Sequence, residues 1–132
     1  MLKLEAMGLF VDNIEVMVKF YRDAMGMAID WDGGGYVSCK AGGISFRLCE
    51  RKIMQSGIKT PFASPTGINS NMEIGFGLPS FSDVDREFAR LVSAGAQPVG
   101  EPRTEPWGQR CCFVADPEGN LIELWSGNDD TP

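Results

Sequence analysis

At 132 residues, 43% hydrophobic and 23% charged, the chain has the size and composition of one globular domain with a sizeable core. A formal net charge of −6 with scattered Lys and Arg excludes a nucleic-acid or anionic-membrane surface, and no apolar run approaches membrane-spanning length. The absence of histidine excludes a Ser-His-Asp triad and leaves zinc only four cysteines, Cys39, Cys49, Cys111 and Cys112, without C-x-x-C spacing.

Taken from the N-terminus, "MLKLEAMGLF" carries Glu5 where a secretory leader needs an apolar core, so the expected location is the cytoplasm. "LKLEAMGLFV" reads as a first strand, with Met7, Leu9 and Val11 inward and Ala6, Gly8 and Phe10 on the opposite face. Ile14, Met17, Val18, Tyr21 and Met25 then recur at helical spacing, with Asp12 or Asn13 as cap and Gly26 as terminator. Strands are predicted at Ala28–Trp31, Tyr36–Lys40 and Ile44–Glu50, separated by glycine-rich turns. Residues 51–71 read as a connecting loop.

A similar plan then recurs. Met72–Leu78 reads as a strand with Met72, Ile74, Phe76 and Leu78 packed on a helix and Glu73, Gly75 and Gly77 on the other face. Ser82 and Asp85 form a capping-box-like start for a helix whose stripe is Phe81, Val84, Phe88, Leu91 and Val92, closed by Gly95. Strands at Gln97–Val99, Arg110–Ala115 and Asn120–Trp125 complete this half. "MGLFV" matches "IGFGL", and "GISFRL" matches "GNLIEL", so each half reads β-α-β-β-β. The boundaries are about 1–50 for the first repeat, about 72–126 for the second, and a short C-terminal tail. Adjacent Cys111 and Cys112 point to opposite faces, and all four cysteines read as buried or half-buried thiols suited to a reducing compartment.

These repeats, "FYRDAMGM" in the first helix and "WGQRCCFVADPEGNLIEL" at the end, resemble the vicinal oxygen chelate superfamily of glyoxalases, bleomycin-resistance proteins and dioxygenases. The resemblance covers nearly the whole chain and is closest in style to the metal-free, bleomycin-resistance-like members. It implies a single α+β domain over residues 1–132, in which two βαβββ repeats form a cupped, partly closed mixed sheet with helices outside. It also implies a homodimer. In the metal-dependent members, His, Gln or Glu side chains from four strands bind one divalent ion, and the matching positions here are Ala6, Arg47, Glu73 and Glu123. Ala6 offers no ligand and a guanidinium cannot coordinate. Glu73 and Glu123 therefore remain as weak metal candidates for Mg²⁺ or Mn²⁺, and no cofactor is expected.

The same resemblance suggests a cluster in which Arg47 offsets Glu73 and Glu123, either satisfying them internally or presenting them to a ligand. A slip of one residue would bring Glu50 to the face instead of Arg47. Trp107, in a proline-containing loop, and Phe10 are the aromatic candidates for stacking on a ligand, whereas Trp31 and Trp125 read as packing residues. Three functional readings stand. The first is a binder of a small aromatic or cationic molecule, such as an antibiotic, acting by sequestration. The second is a divalent-metal-dependent lyase or dioxygenase of the glyoxalase type using Glu73 and Glu123. The third is a metal-free enzyme with Glu123 as the catalytic base and Arg47 stabilising an oxyanion.

Overall fold

Period-two alternation and one short amphipathic helix build the first part of the chain. The structure is a computed structural model that describes residues 1–69 and 71–132. It resolves into two units, Met1–Ser64 and Pro65–Pro132.

In the first unit, β1 (Ala6–Val11) buries Leu9 and Val11 and leaves Gly8 and Phe10 exposed, as the alternation predicts. Asn13 caps α1 (Ile14–Lys19), its side chain accepting from the Val16 N–H at 3.2 Å. The helix then widens into a π-turn over Phe20–Ala24, closed by the Met25 N–H donating to the Phe20 carbonyl at 3.0 Å. The wider turn lets Phe20, Tyr21 and Ala24 all bury beside Met17 and Val18. Strands β2 (Tyr36–Ala41) and β3 (Ile44–Glu50) complete a sheet of order β1-β3-β2, with β1 parallel and β2 antiparallel to the central β3. Phe46 and Leu48 of β3 are buried, and the Tyr21 ring sits 5.2 Å from that of Phe46.

Two expectations in this unit are corrected. Residues Ala28–Trp31 form no strand. Ile29 is buried as a single anchor, and local bonds take up the chain around it: the Trp31 indole N–H donates to the Gly34 carbonyl at 2.7 Å, and Asp32 accepts from the Gly34 N–H at 2.8 Å. The predicted loop after Glu50 opens with a helix, α2 (Arg51–Ser56), which buries no residue and so has no apolar stripe to announce it.

The second unit runs β4 (Asn69–Gly77), α3 (Phe81–Ser93), β5 (Gln97–Thr104), β6 (Arg110–Ala115) and β7 (Asn120–Ser126). Its sheet order is β4-β7-β6-β5, with β4 parallel to β7. Helix α3 packs on β5, β6 and β7 and buries Phe81, Val84 and Leu91. Its cap is Ser80 with Asp83, two positions before the predicted pair: the Ser80 hydroxyl accepts from the Asp83 N–H at 3.3 Å and donates to its carboxylate at 2.8 Å. Ser82 binds Asp130 and Asp85 binds Arg110 instead. Met72 is 43% exposed because regular pairing of β4 begins only at Glu73. Strand β5 outruns its prediction as an irregular edge strand, where Pro98 and Pro102 are tolerated.

The fold is α+β, with two modules of the βαβββ plan, the first showing three strands among the described residues because Ala28–Trp31 forms none, and each a mixed sheet whose edges stay open. Among the described residues, no helix is long and apolar enough to cross a membrane.

The "DPEGN" turn ties the second unit together. Buried Asp116 accepts from the Glu118 N–H at 2.9 Å, the Asn120 N–H at 3.0 Å and the Asn120 side-chain amide at 2.9 Å. Gly119 has φ of +87°, and a Cβ there would stand 2.1 Å from the Gly67 carbonyl oxygen. Asp116→Ala leaves buried donors without acceptors and is expected to lower the unfolding free energy by about 2 kcal/mol in urea titrations. An unchanged midpoint would show that the turn stands without the carboxylate.

Candidate functional site

Each sheet has one face against its helix and one face free of it, and the sequence-predicted residues fall on the free faces. In the first unit, the register pairs Gly8 with Arg47 and Phe10 with Cys49, while Tyr36 and Ser38 lie across from Cys49 and Arg47 on the other side. Arg47 therefore shares the face of Gly8 and Phe10. The alternative register with Glu50 is overturned, and Glu50 pairs with Lys52 at 3.1 Å. Gly8 gives the arginine stem room, since a Cβ there would already meet the Arg47 Cβ at 3.4 Å.

A cavity of about 270 Å³ opens on this face, with Gly8, Phe10, Tyr36, Arg47, Cys49 and Met54 in its lining. Met54 brings the segment that the sequence left as loop into its wall. Arg51 straps that wall to the sheet, donating to Asp12 at 3.0 Å, to the Phe10 carbonyl at 3.0 Å and to the Ala63 carbonyl at 3.2 Å. Gln55 donates to the Ile58 and Thr60 carbonyls at 2.7 and 2.9 Å and accepts from the Phe62 N–H. These bonds lay the Phe62 ring flat on Phe10, with centroids 5.4 Å apart and planes 10° from parallel. Among the described residues of its unit, Arg47 has no ion pair, and Glu5, Asp12 and Glu50 pair with Lys3, Arg51 and Lys52. Burial pushes the Cys49 thiol up, with Glu50 adding to the effect, so its neutral form is favoured.

In the second unit, the pairings Gly75 with Glu123, Gly77 with Trp125, Phe113 with Glu123 and Cys111 with Trp125 put these residues on one face. Glu73 lies one alternation from Gly75 on the same side. Cys112 pairs with Leu124 on the opposite, helix-facing side, as predicted for adjacent cysteines, and burial, with help from Cys111, pushes its thiol up to about 12. Glu123 is half-buried and has no ion pair or hydrogen bond within its unit among the described residues. Burial, and then the nearby Glu73 charge, raises its carboxyl above the ordinary glutamate range.

Trp125, read in the sequence as a packing residue, packs against glycines on this same face. A Cβ on Gly75 would stand 3.9 Å from the Trp125 Nε1 and 4.0 Å from a Glu123 carboxylate oxygen, and one on Gly77 would stand 3.6 Å from the indole ring. The bare glycines thus form a floor on which indole and carboxylate meet. The signal was available, since Trp125 follows Glu123 by two residues on one strand. Cys111 joins this face, its thiol raised by burial and then by Glu123 and Glu105. Glu105 is buried, paired with Arg103 and approached by the Cys111 Sγ at 3.8 Å. Trp107 stands on the β5–β6 turn, 70% exposed, its indole N–H donating to Gln109 at 3.2 Å.

The structure thus brings Phe10 together with Arg47, and Glu73 together with Glu123. As a donor set for a divalent ion, Ala6, Arg47, Glu73 and Glu123 do not fit, because the first two supply no ligand atom. Among the described residues, no group of three or more His, Cys, Asp or Glu side chains is disposed to hold a metal.

A family model described as Glyoxalase/Bleomycin resistance protein/Dioxygenase superfamily matches residues 3–124. The uncharacterized protein YraH of Bacillus subtilis (strain 168) is 27% identical over 128 residues, 94% of this chain and 98% of that protein. Among solved structures, a glyoxalase-related enzyme from Fulvimarina pelagi superposes with a TM-score of 0.84 at 21% identity, over 96% of this chain and 88% of its own. A protein of unknown function from Agrobacterium tumefaciens str. C58 superposes at 0.74 with 27% identity, over 95% and 94% of the two chains. The lactoylglutathione lyase from Agrobacterium tumefaciens superposes at 0.72 with 22% identity, over 95% and 93%.

The raised Glu123 carboxyl has a consequence for stability. The folded state binds its proton more tightly than the unfolded state, so stability falls as pH rises from the ordinary value of 4.5 through the folded one. Glu123→Gln removes that slope. The variant is expected to be more stable than the parent at neutral pH, with the advantage shrinking on acidification below the carboxylate range. Melting curves from acid to neutral pH read the difference, and a parallel pair of profiles would contradict it.

Proposed function

The chain belongs to the glyoxalase/bleomycin resistance protein/dioxygenase superfamily, and we propose that within it this protein binds a small aromatic organic molecule carrying a cationic or hydrogen-bond-donating group, without a firmly held metal. The observation that carries this reading is Glu123: half-buried, without a partner in its unit, and beside the Trp125 indole over a floor of glycines. A buried carboxylate is costly to leave unpaired, and a ligand cation or donor relieves that cost. The adjacent indole offers a surface for stacking and cation–π attraction. Glu73 on the same face adds a second negative charge, and Trp107 supplies an exposed indole on the neighbouring turn.

The metal-dependent alternative, a lyase or dioxygenase using Mg²⁺ or Mn²⁺, draws support from the two carboxylates sharing one face and from the solved lactoylglutathione lyase of like fold. Two carboxylates with water make a weak site. We read the two units as the repeats of one domain, working as a homodimer in the cytoplasm; the four free cysteines suit that compartment.

Titration of aromatic ammonium compounds followed by tryptophan fluorescence and calorimetry tests the binding reading. Binding is expected to weaken at least tenfold, about 1.4 kcal/mol, in Glu123→Gln and in Trp125→Leu. Equal binding by both variants would remove the second-unit face from the account.

A further inference from the structure

We propose that the Asp32–Gly33 bond is a site of spontaneous isoaspartate formation, in which the Asp32 carboxyl and the Gly33 amide close to a succinimide that water reopens at the main-chain carbonyl. The assignment uses none of the charged residues of the two free faces and stands apart from the ligand-binding reading.

The sequence singles out the bond. In "WDGGGY", Trp31 to Tyr36, Asp32 is the one Asp of the chain followed by Gly, and no Asn is followed by Gly. A peptide nitrogen is a poor nucleophile because its lone pair is delocalised, so ring closure needs close and unhindered approach. Glycine in the following position removes the Cβ that would otherwise obstruct it.

The structure adds the geometry. Asp32 Oδ1 accepts from the Gly34 N–H at 2.8 Å, which folds the side chain back along the Asp32–Gly33 peptide in an Asx turn. The same donor is in place to stabilise charge on the oxygen of the carbonyl under attack. A Cβ on Gly34 would stand 3.0 Å from Oδ1, so this fold-back depends on the second bare residue. Gly33 has φ of +90° and nothing within 4 Å of its Cβ position, and its N–H has no hydrogen bond among the described residues. Both ends of the turn are pinned. Ile29 is buried, the Trp31 indole N–H donates to the Gly34 carbonyl at 2.7 Å, and the Glu50 N–H donates to the Gly35 carbonyl at 2.8 Å.

Charge separates Asp32 from other acidic residues. Asp12, Asp23 and Asp85 each hold an arginine, at 3.0, 2.8 and 2.8 Å, and Asp83 holds Arg86. An ion pair favours the carboxylate, which has no leaving group to lose, over the carboxylic acid, which loses water. Among the described residues Asp32 has no ion pair, and it is exposed to solvent.

The step balances without a co-reactant other than water. The Gly33 nitrogen bonds to Asp32 Cγ, the Cγ–OH bond breaks, and the amide proton leaves with the hydroxyl as water. Water then adds to the succinimide. Addition at Cγ restores Asp32, and addition at the main-chain carbonyl gives isoaspartate, with the chain now running through Cβ and one carbon longer.

The test incubates the full chain in warm, mildly acidic buffer and follows the Trp31-containing peptide by chromatography and electron-transfer fragmentation, because isoaspartate leaves the mass unchanged. A carboxyl methyltransferase specific for isoaspartate counts the product independently. Isoaspartate is expected at Asp32 at least tenfold above any other Asp, preceded by a species lighter by one water. A synthetic peptide of residues 28–36 sets the reference rate, and the folded chain is expected within tenfold of it. Asp32→Glu, which would need a six-membered ring, is expected to lose the product at least tenfold. Gly34→Ala, which crowds the folded-back carboxylate, is expected to slow the folded chain at least threefold. Isoaspartate spread evenly over the Asp residues, a folded chain more than tenfold slower than the peptide, or an unchanged rate in either variant would overturn the assignment.

Discussion

The parallel pairing of each unit's first strand with a strand about forty to fifty residues later organises the rest of the structure. Side chains in a strand alternate between faces, so the register of β1 on β3 and of β4 on β7 decides which residues meet the helix and which are left on the free face. A slip by one residue in either ladder would turn Arg47 or Glu123 toward an apolar helix, at a desolvation cost the domain has no means to offset. Burial of Leu9, Val11, Phe46 and Leu48 in one unit, and of Ile74, Ile122 and Leu124 in the other, holds that register in place.

The pairing also reveals a rule common to both repeats. Gly8 is paired with Arg47, and Gly75 with Glu123. In each case a residue without a side chain lies beside a charged one, so the charge has a bare floor rather than a neighbour to satisfy it. The equivalent positions carry opposite signs. One repeat offers a cation among aromatic and apolar walls, and the other a carboxylate beside an indole. Charged groups left without partners on half-covered faces are costly to stability, and ligand binding is the ordinary way such a cost is recovered.

Much of this is legible in the sequence. Alternation in "AMGLFV", "ISFRLCE" and "NLIELWS" fixes faces because every second residue is strongly apolar. What escaped had weak local signals. The π-turn at Phe20–Ala24 keeps the same apolar residues as an α-helix and differs only in its hydrogen bonds. Helix α2 buries nothing, so its six residues carry no periodicity, and with them went Met54 and the Arg51 and Gln55 bonds that shape the first cavity. Ala28–Trp31 has the alternation of a strand but finds no partner in the ladder, a tertiary fact that no local pattern contains. The cap is Ser80 and not Ser82: the Ser80 hydroxyl accepts from the Asp83 N–H, while the Ser82 N–H and hydroxyl both donate to Asp130 in the tail. Trp125 packs, as the sequence suggests, but against glycines on the free face.

The central claim is that the free faces serve organic ligands and do not hold a divalent ion firmly. Elemental analysis of untagged protein, purified without chelators and then dialysed after exposure to Mn²⁺, Ni²⁺ and Zn²⁺, tests it most directly. The account predicts that metal is lost on dialysis, to well below one ion per chain, in the parent and in Glu73→Ala and Glu123→Ala alike. Near-stoichiometric metal retained by the parent and lost from both variants would contradict it.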